Sequence, residues 1–111
     1  HFGYLPRYRG IMPAFWAHYN GEDYMGITCY RMDKGIDTGD ILYRGKIRIN
    51  PSMNLVEIYK KGFEQAEDVI IKGVDNLLKG RIIKQNDLGI KPTYYGMPTF
   101  KDILKYNLRR F

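Results

Sequence analysis

Apolar residues recur at helical spacing from Leu55 through Ile58, Tyr59, Gly62, Phe63, Ala66, Val69, Ile70, Gly73, Val74 and Leu77 to Leu78, so residues 54–79 read as one long helix with a broad apolar stripe. Asn54 followed by Glu57 has the form of a capping box, and Gly80 supplies a stop. At 1.5 Å per residue the helix is about 39 Å long. A period of two replaces the helical one in residues 41–49, where Ile41, Tyr43, Ile47 and Ile49 share one face and Leu42, Arg44, Lys46 and Arg48 the other. This predicts a strand with one face in water. Residues 25–32, "MGITCYRM", alternate in the same way and pair antiparallel with it, joined by a loop. Residues 12–20 read as a short helix, with Pro13 in its first turn, Gly21 at its stop, and Met12, Phe15, Trp16 and Tyr19 on one face. Residues 1–10 are irregular, 81–85 form a short strand, 90–99 a loop, and Thr99 caps a last short helix, "FKDILKYNL".

Composition narrows the picture. The 111 residues allow one domain or part of one, and 44% hydrophobic with 27% charged is a globular balance. A long helix with so broad a stripe needs a sheet, and two or three short strands make a small one, so the chain reads as part of a larger α/β domain. The net charge of +6 suits an anionic partner, but Arg7 and Arg9, the Arg44/Lys46/Arg48 row and Arg109 are dispersed. A basic RNA-binding domain would cluster them. Cys29 is the sole cysteine; it excludes an internal disulfide, fits a reducing compartment and reads as a buried strand residue. No apolar run is long enough to span a bilayer, so the expectation is a cytoplasmic protein with no membrane partner.

The chemistry has few places to sit. No metal-ligand spacing, phosphate-binding glycine loop or nucleophile elbow is present, so no metal is expected. What remains is His1, in a Gly/Pro-rich segment, and the loop "DKGIDTGDIL" (33–42), which packs Asp33, Asp37 and Asp40 among Gly35 and Gly39. An imidazole beside a buried carboxylate is an acid–base unit. On the residues alone, turn formation is the better reading of the loop. His18 reads as packed or exposed, Phe15, Trp16 and Tyr19 as core, and Arg9 as surface charge or an anion contact.

Two segments go further. "HFGYLPRYRG" resembles the H-P-x-L-L-P-x-Y-R-G segment of the folate-dependent formyltransferases, and "MDKGIDTGDIL" resembles their M-D-E-G-x-D-T-G-D-I-L segment. The segments stand at the family's spacing, and "PAFWAHYNGEDYMGIT" between them is similar to the family's helix-Asn-Gly-strand pattern. The similarity covers residues 1–49 well and the rest loosely.

The resemblance implies a Rossmann-like α/β formyltransferase fold, with residues 1–111 as the C-terminal portion of the catalytic domain, an antiparallel strand pair plus a long helix. It implies His1 and Asp37 as catalytic residues, and Lys34, Gly35, Ile36 and Asp37 as the border of the pterin pocket. Asp33 and Asp40 shape the turn, while Gly35 and Gly39 admit the cofactor. The implied formyl donor is 10-formyltetrahydrofolate. The acceptor is a primary amine, of an amino-sugar nucleotide in the first reading and of methionyl-tRNA in the second, so tRNA stays open as a partner, as does a homodimer. The family's third catalytic residue, an Asn two positions before the His, falls before His1, and Phe2 stands where Pro is usual. The expectation is a transferase whose isolated fragment is inactive. The competing reading is a non-catalytic α/β binding or assembly module that retains the motif.

Overall fold

The two period-two stretches pair as expected. In the computed structural model, which describes residues 1–109, strand β2 (Tyr24–Tyr30) runs antiparallel to β3 (Ile41–Arg48), with Met25 opposite Ile47 and Ile27 opposite Gly45. A bulge ends the regular ladder: Cys29 faces Tyr43 and Tyr30 faces Ile41, so Leu42 has no rung of its own. The extra residue turns Leu42 inward, where it is buried, and its carbonyl accepts from Asn76 Nδ2 at 2.6 Å.

Helix α2 (Leu55–Leu78) crosses the pair. Asn54 Oδ1 accepts from Glu57 N at 2.9 Å. At the other end Gly80 N bonds Leu77 O and Arg81 N bonds Asn76 O, with Gly80 at φ +71°, a Schellman stop. The stripe is only half used. Ile58, Gly62, Val69 and Gly73 are buried, but Phe63, Ile70, Val74 and Leu78 stay 46–81% exposed. Two strands are roughly 10 Å wide, too narrow to cover so broad a face. Packing is close where it exists: a Cβ on Gly73 would lie 2.8 Å from Cys29 Cβ. Cys29 is therefore half-buried against the helix, not fully buried as expected.

The other face of β3 is only partly in water: Lys46 and Arg48 are exposed as predicted, while Arg44 is half-buried. Residues 3–5 lie on it, with the backbone of Tyr4 directly over Gly26. Arg44 and Lys46 lie 4.3 and 5.1 Å from the Tyr4 ring centroid, and Arg44 Nη1 donates to Leu5 O at 3.0 Å. Where the face is covered, at Arg44, the long cationic side chain snorkels along an aromatic ring.

Helix α1 (Pro13–Tyr19) has Pro13 in its first turn and ends in a second Schellman stop, Gly21 N to His18 O and Glu22 N to Ala17 O. Its core face is Ala14, Phe15, Ala17 and His18; of the aromatic row predicted as core, Phe15 is buried and Trp16 and Tyr19 are half-buried. Trp16 stacks on Tyr95 with centroids 5.1 Å apart and donates from Nε1 to Gly96 O at 3.0 Å. His18 is packed, bonded to Tyr106 Oη at 2.6 Å and to Asn50 O at 2.8 Å.

Two other expectations change. The tail is not a plain loop: Tyr94–Tyr95 (β4) pairs in parallel with Arg9–Gly10 (β1), inside a segment read as irregular. In place of a strand over 81–85 there is a single bridge, Ile41 to Ile83, followed by a 3₁₀ turn over Gln85–Leu88. Two-residue strands carry no periodicity, so no sequence pattern marks them. Helix α3 (Phe100–Arg109) is the last of the described elements; Thr99 Oγ1 accepts from Asp102 N and Asp102 Oδ2 accepts from Thr99 N. No helix of the described residues is long and apolar enough to cross a membrane.

Candidate active site

Backbone pairing brings the first residue to the hairpin. Thr28 N donates to His1 O at 2.8 Å, and the His1 nitrogen donates to Thr28 O at 3.2 Å. Phe2 follows with its ring on Gly62, where a Cβ would lie 2.8 Å from Phe2 Cε1. It packs against Tyr59 and Phe63 at centroid distances of 5.8 and 5.2 Å. His1 is thus fixed between β2 and α2.

The loop 31–40 is closed at its neck by Arg31 N to Asp40 O at 2.9 Å. Inside it Asp33 Oδ1 accepts from Gly35 N at 2.9 Å and Thr38 Oγ1 at 2.6 Å, and these two donors hold the Asp33 carboxyl below its usual range. Asp33 shapes the turn as expected; Asp40 contributes through its backbone carbonyl. The glycines answer to the loop itself. A Cβ on Gly39 would overlap the Arg31 carbonyl, and one on Gly35 would overlap Thr38 Oγ1.

Asp37 is a non-glycine residue with φ +57°, a conformation that Asp tolerates better than most. It points the carboxylate back toward the protein. Asp37 Oδ1 accepts from Tyr30 Oη at 2.6 Å, and Oδ2 accepts from Gly10 N at 2.7 Å. His1 Nδ1 stands 3.6 Å from Asp37 Oδ1, with the two side chains 10% and 12% exposed. That separation is too long for a hydrogen bond but short for a coulombic pair. His1 Nε2 lies 2.7 Å from Tyr8 O. A carbonyl only accepts, so Nε2 carries a proton, and Nδ1 is left facing the carboxylate. The Tyr30 hydroxyl is pushed up to about 12, first by burial, then by its bond to Asp37 and the charges of Asp37 and Asp33.

The two candidate catalytic residues, far apart in sequence, therefore share one partly shielded spot. Lys34, Gly35 and Ile36 stand beside it with different character: all three are exposed, Ile36 by 60%. Among the described residues no group of three or more His, Cys, Asp or Glu is placed to hold a metal.

Sequence reasoning misses the supports. Tyr30, at the end of β2, and Gly10 hold the carboxylate. Gln85, from a stretch with no periodic signal, is 4% exposed beneath the loop. Its Nε2 donates to Asp37 O at 2.9 Å and Gly39 O at 2.7 Å, while its Oε1 accepts from Arg9 Nη2 at 2.7 Å. Arg9, left open from sequence, is thereby tied into the site.

The chain has relatives among known proteins. Residues 1–74 match a family model described as "Formyl transferase". Methionyl-tRNA formyltransferase of Clostridium novyi is 39% identical over 89 residues, 78% of this chain and 29% of that protein. The Clostridium acetobutylicum enzyme of the same name is 36% identical over 107 residues, 96% of this chain and 34% of that protein. The chain thus spans about a third of the length of the curated relatives it matches. Among solved structures, the N-formyltransferase of Helicobacter canadensis, in complex with folinic acid and dTDP-3-aminofucose, superposes with a TM-score of 0.76 at 25% identity. That match covers 100% of this chain and 45% of that one.

Proposed function

The chain belongs to the formyl transferase family, and on that premise we propose that it is the C-terminal portion of a catalytic domain that passes a formyl group from 10-formyltetrahydrofolate to a primary amine. The observation that carries the proposal is the meeting of His1 and Asp37 at 3.6 Å in a partly shielded position, with both carboxylate oxygens held.

The exposed lip of Lys34, Gly35 and Ile36 fits a folate. It offers solvent-exposed backbone and an apolar side chain next to Asp37, the mixture that the flat, hydrogen-bonding face of a pterin needs. When bound, 10-formyltetrahydrofolate supplies the electrophilic formyl carbonyl. The rest falls to the chain's own residues. His1, protonated, places positive charge where the formyl oxygen gains negative charge. Its contribution is charge rather than a free N–H, since Nε2 is engaged by Tyr8 O and Nδ1 faces Asp37. Asp37 favours that cationic imidazole by its charge. It also takes part in removing the proton from the attacking amine, directly or through water. Tyr30 and Gly10 keep the carboxylate aimed throughout, so its orientation costs nothing at the moment of reaction.

The acceptor we propose is the amine of an amino-sugar nucleotide. The support is the superposition of the whole chain, α3 included, on an enzyme solved with dTDP-3-aminofucose. A second reading, methionyl-tRNA, has its own support in the identities of 36–39% to enzymes of that name. The test is to mix the full-length protein with 10-formyltetrahydrofolate and each amine and to follow release of tetrahydrofolate. We expect formylation of an amino-sugar nucleotide and a loss of about a hundredfold or more in Asp37→Asn. Formylation of methionyl-tRNA alone would move the acceptor to the second reading. If no amine is formylated, the protein is a binding module and the catalytic reading falls; if Asp37→Asn keeps the wild-type rate, the role given to Asp37 falls.

A further inference from the structure

Gln85 makes more of its hydrogen-bonding capacity than any surface amide needs. Both Nε2 protons go to main-chain carbonyls of the loop, Asp37 O and Gly39 O. Oε1 takes two donors from one guanidinium, Arg9 Nη2 at 2.7 Å and Nε at 3.3 Å. Two donors and two acceptor sites is the full inventory of a glutamine amide. At 4% exposure none of it is spent on water.

What Gln85 joins is more telling than how many bonds it makes. On one side is the backbone of Asp37, in its left-handed conformation. On the other is Arg9, in the two-residue strand β1, whose next residue, Gly10, donates its N–H to the Asp37 carboxylate. The main chain of Asp37 is therefore referenced to β1 through Gln85, and its side chain is referenced to β1 through Gly10. With both ends of the residue measured from the same short strand, the carboxylate has no freedom to swing away from His1. The Ile41–Ile83 bridge, two residues before Gln85, brings the amide under the loop.

Resting on the formyl-transfer reading above, we propose that Gln85 is a positioning residue for that reaction. It touches neither folate nor amine; it sets the place of the Asp37 carboxylate by clamping the loop backbone to Arg9.

The test uses the full-length protein with the amine it accepts. We expect Gln85→Leu to lower kcat by about tenfold or more, the equivalent of ~1.4 kcal/mol, with the KM for the amine changed less than about twofold. In an Asp37→Asn background the same substitution should cost less than about twofold, because the group it positions is already gone. A glutamine that merely supported the fold would lower both backgrounds alike, and multiplying losses overturn the proposal, as does a Gln85→Leu rate within about twofold of wild type. Hydrogen exchange of the Gly10 amide gives a readout independent of activity. Gln85→Leu should speed it at least about tenfold while leaving the Thr28 amide alone; an unchanged Gly10 amide overturns the clamp even if the wild-type protein formylates nothing. Inactivity of the wild type with a faster Gly10 amide in Gln85→Leu would sink the functional reading but leave the clamp standing. Should Gln85→Leu fail to fold, Arg9→Met, which leaves the amide present but unheld, carries the same comparisons.

Discussion

Replacing Thr28 by valine swaps a hydroxyl for a methyl of nearly the same shape, at a site only 2% exposed. Hydrophobicity alone predicts a gain. The structure predicts a loss. Thr28 Oγ1 donates to Gly3 O at 2.6 Å and accepts from Leu5 N at 3.2 Å, so it satisfies two main-chain groups of the segment that covers the strand pair. Valine leaves both buried without partners, at about 1–3 kcal/mol each. Partial relaxation and the added methyl return some of this, so we expect a net cost of about 2–4 kcal/mol. Serine keeps the hydroxyl and loses a methyl, which costs about 1 kcal/mol. The expected order of stability in urea unfolding of the full-length protein is therefore Thr, then Ser, then Val, read as midpoints at a common slope. Because Gly3 and Leu5 follow closely on His1 and Phe2, Thr28→Val should also loosen the His1 imidazole and lower the rate of the proposed formyl transfer. A valine variant as stable as the serine one would refute the reasoning, since the buried hydroxyl would then contribute nothing beyond its shape.

Gly39→Ala should open the loop neck, because the added Cβ meets the Arg31 carbonyl, which is backbone and cannot rotate aside. We expect a local cost of about 2–3 kcal/mol from the Arg31–Asp40 and Gln85–Gly39 bonds at ~1 kcal/mol each plus strain, visible as faster exchange of the Arg31 amide. An unchanged amide argues against that close contact. The Tyr30 hydroxyl should titrate near pH 12 in ultraviolet difference spectra of wild type against Tyr30→Phe. A phenol whose folded pKa is raised stabilises the fold fully below its unfolded value of about 10. That stability is lost as pH rises from about 10 to about 12. Burial is the leading cause, so Asp37→Asn should return only part of the shift. A Tyr30 that titrates at about 10 would contradict its placement.

The long helix, both of its caps and the strand pair are legible in the sequence because each repeats a period or ends on a residue with a backbone reason: Asn54, Gly21, Gly80 and Thr99 all act where expected. His1 and Asp37 are legible only through resemblance, since nothing in local pattern links two residues so far apart. Gln85 and the two-residue strands are not legible at all. Their meaning is wholly tertiary: a buried amide looks like any polar residue until the carbonyls above it are known. The face of β3 is read correctly at Lys46 and Arg48, which are exposed, and misread at Arg44, which is half-buried. Alternation tells which residues share a side, but not whether another segment, here residues 3–5, lies on it.

The ladder rung between His1 and Thr28 has a consequence for how such a site tolerates change. His1 hangs from Thr28, and Asp37 hangs from the Tyr30 hydroxyl, two residues along the same strand. A two-residue step along a strand is about 6.6 Å and hardly varies. β2 is thus a ruler with both candidate groups fastened to its marks. Sequence drift in α1 or α3 alters what lies around the proposed site without moving either mark. On the proposed reaction, a scaffold of this kind permits new acceptors while the His1–Asp37 pair stays in place, and its fragile parts are the seven residues of β2 and the Arg9–Gly10 strand that holds the carboxylate with Tyr30.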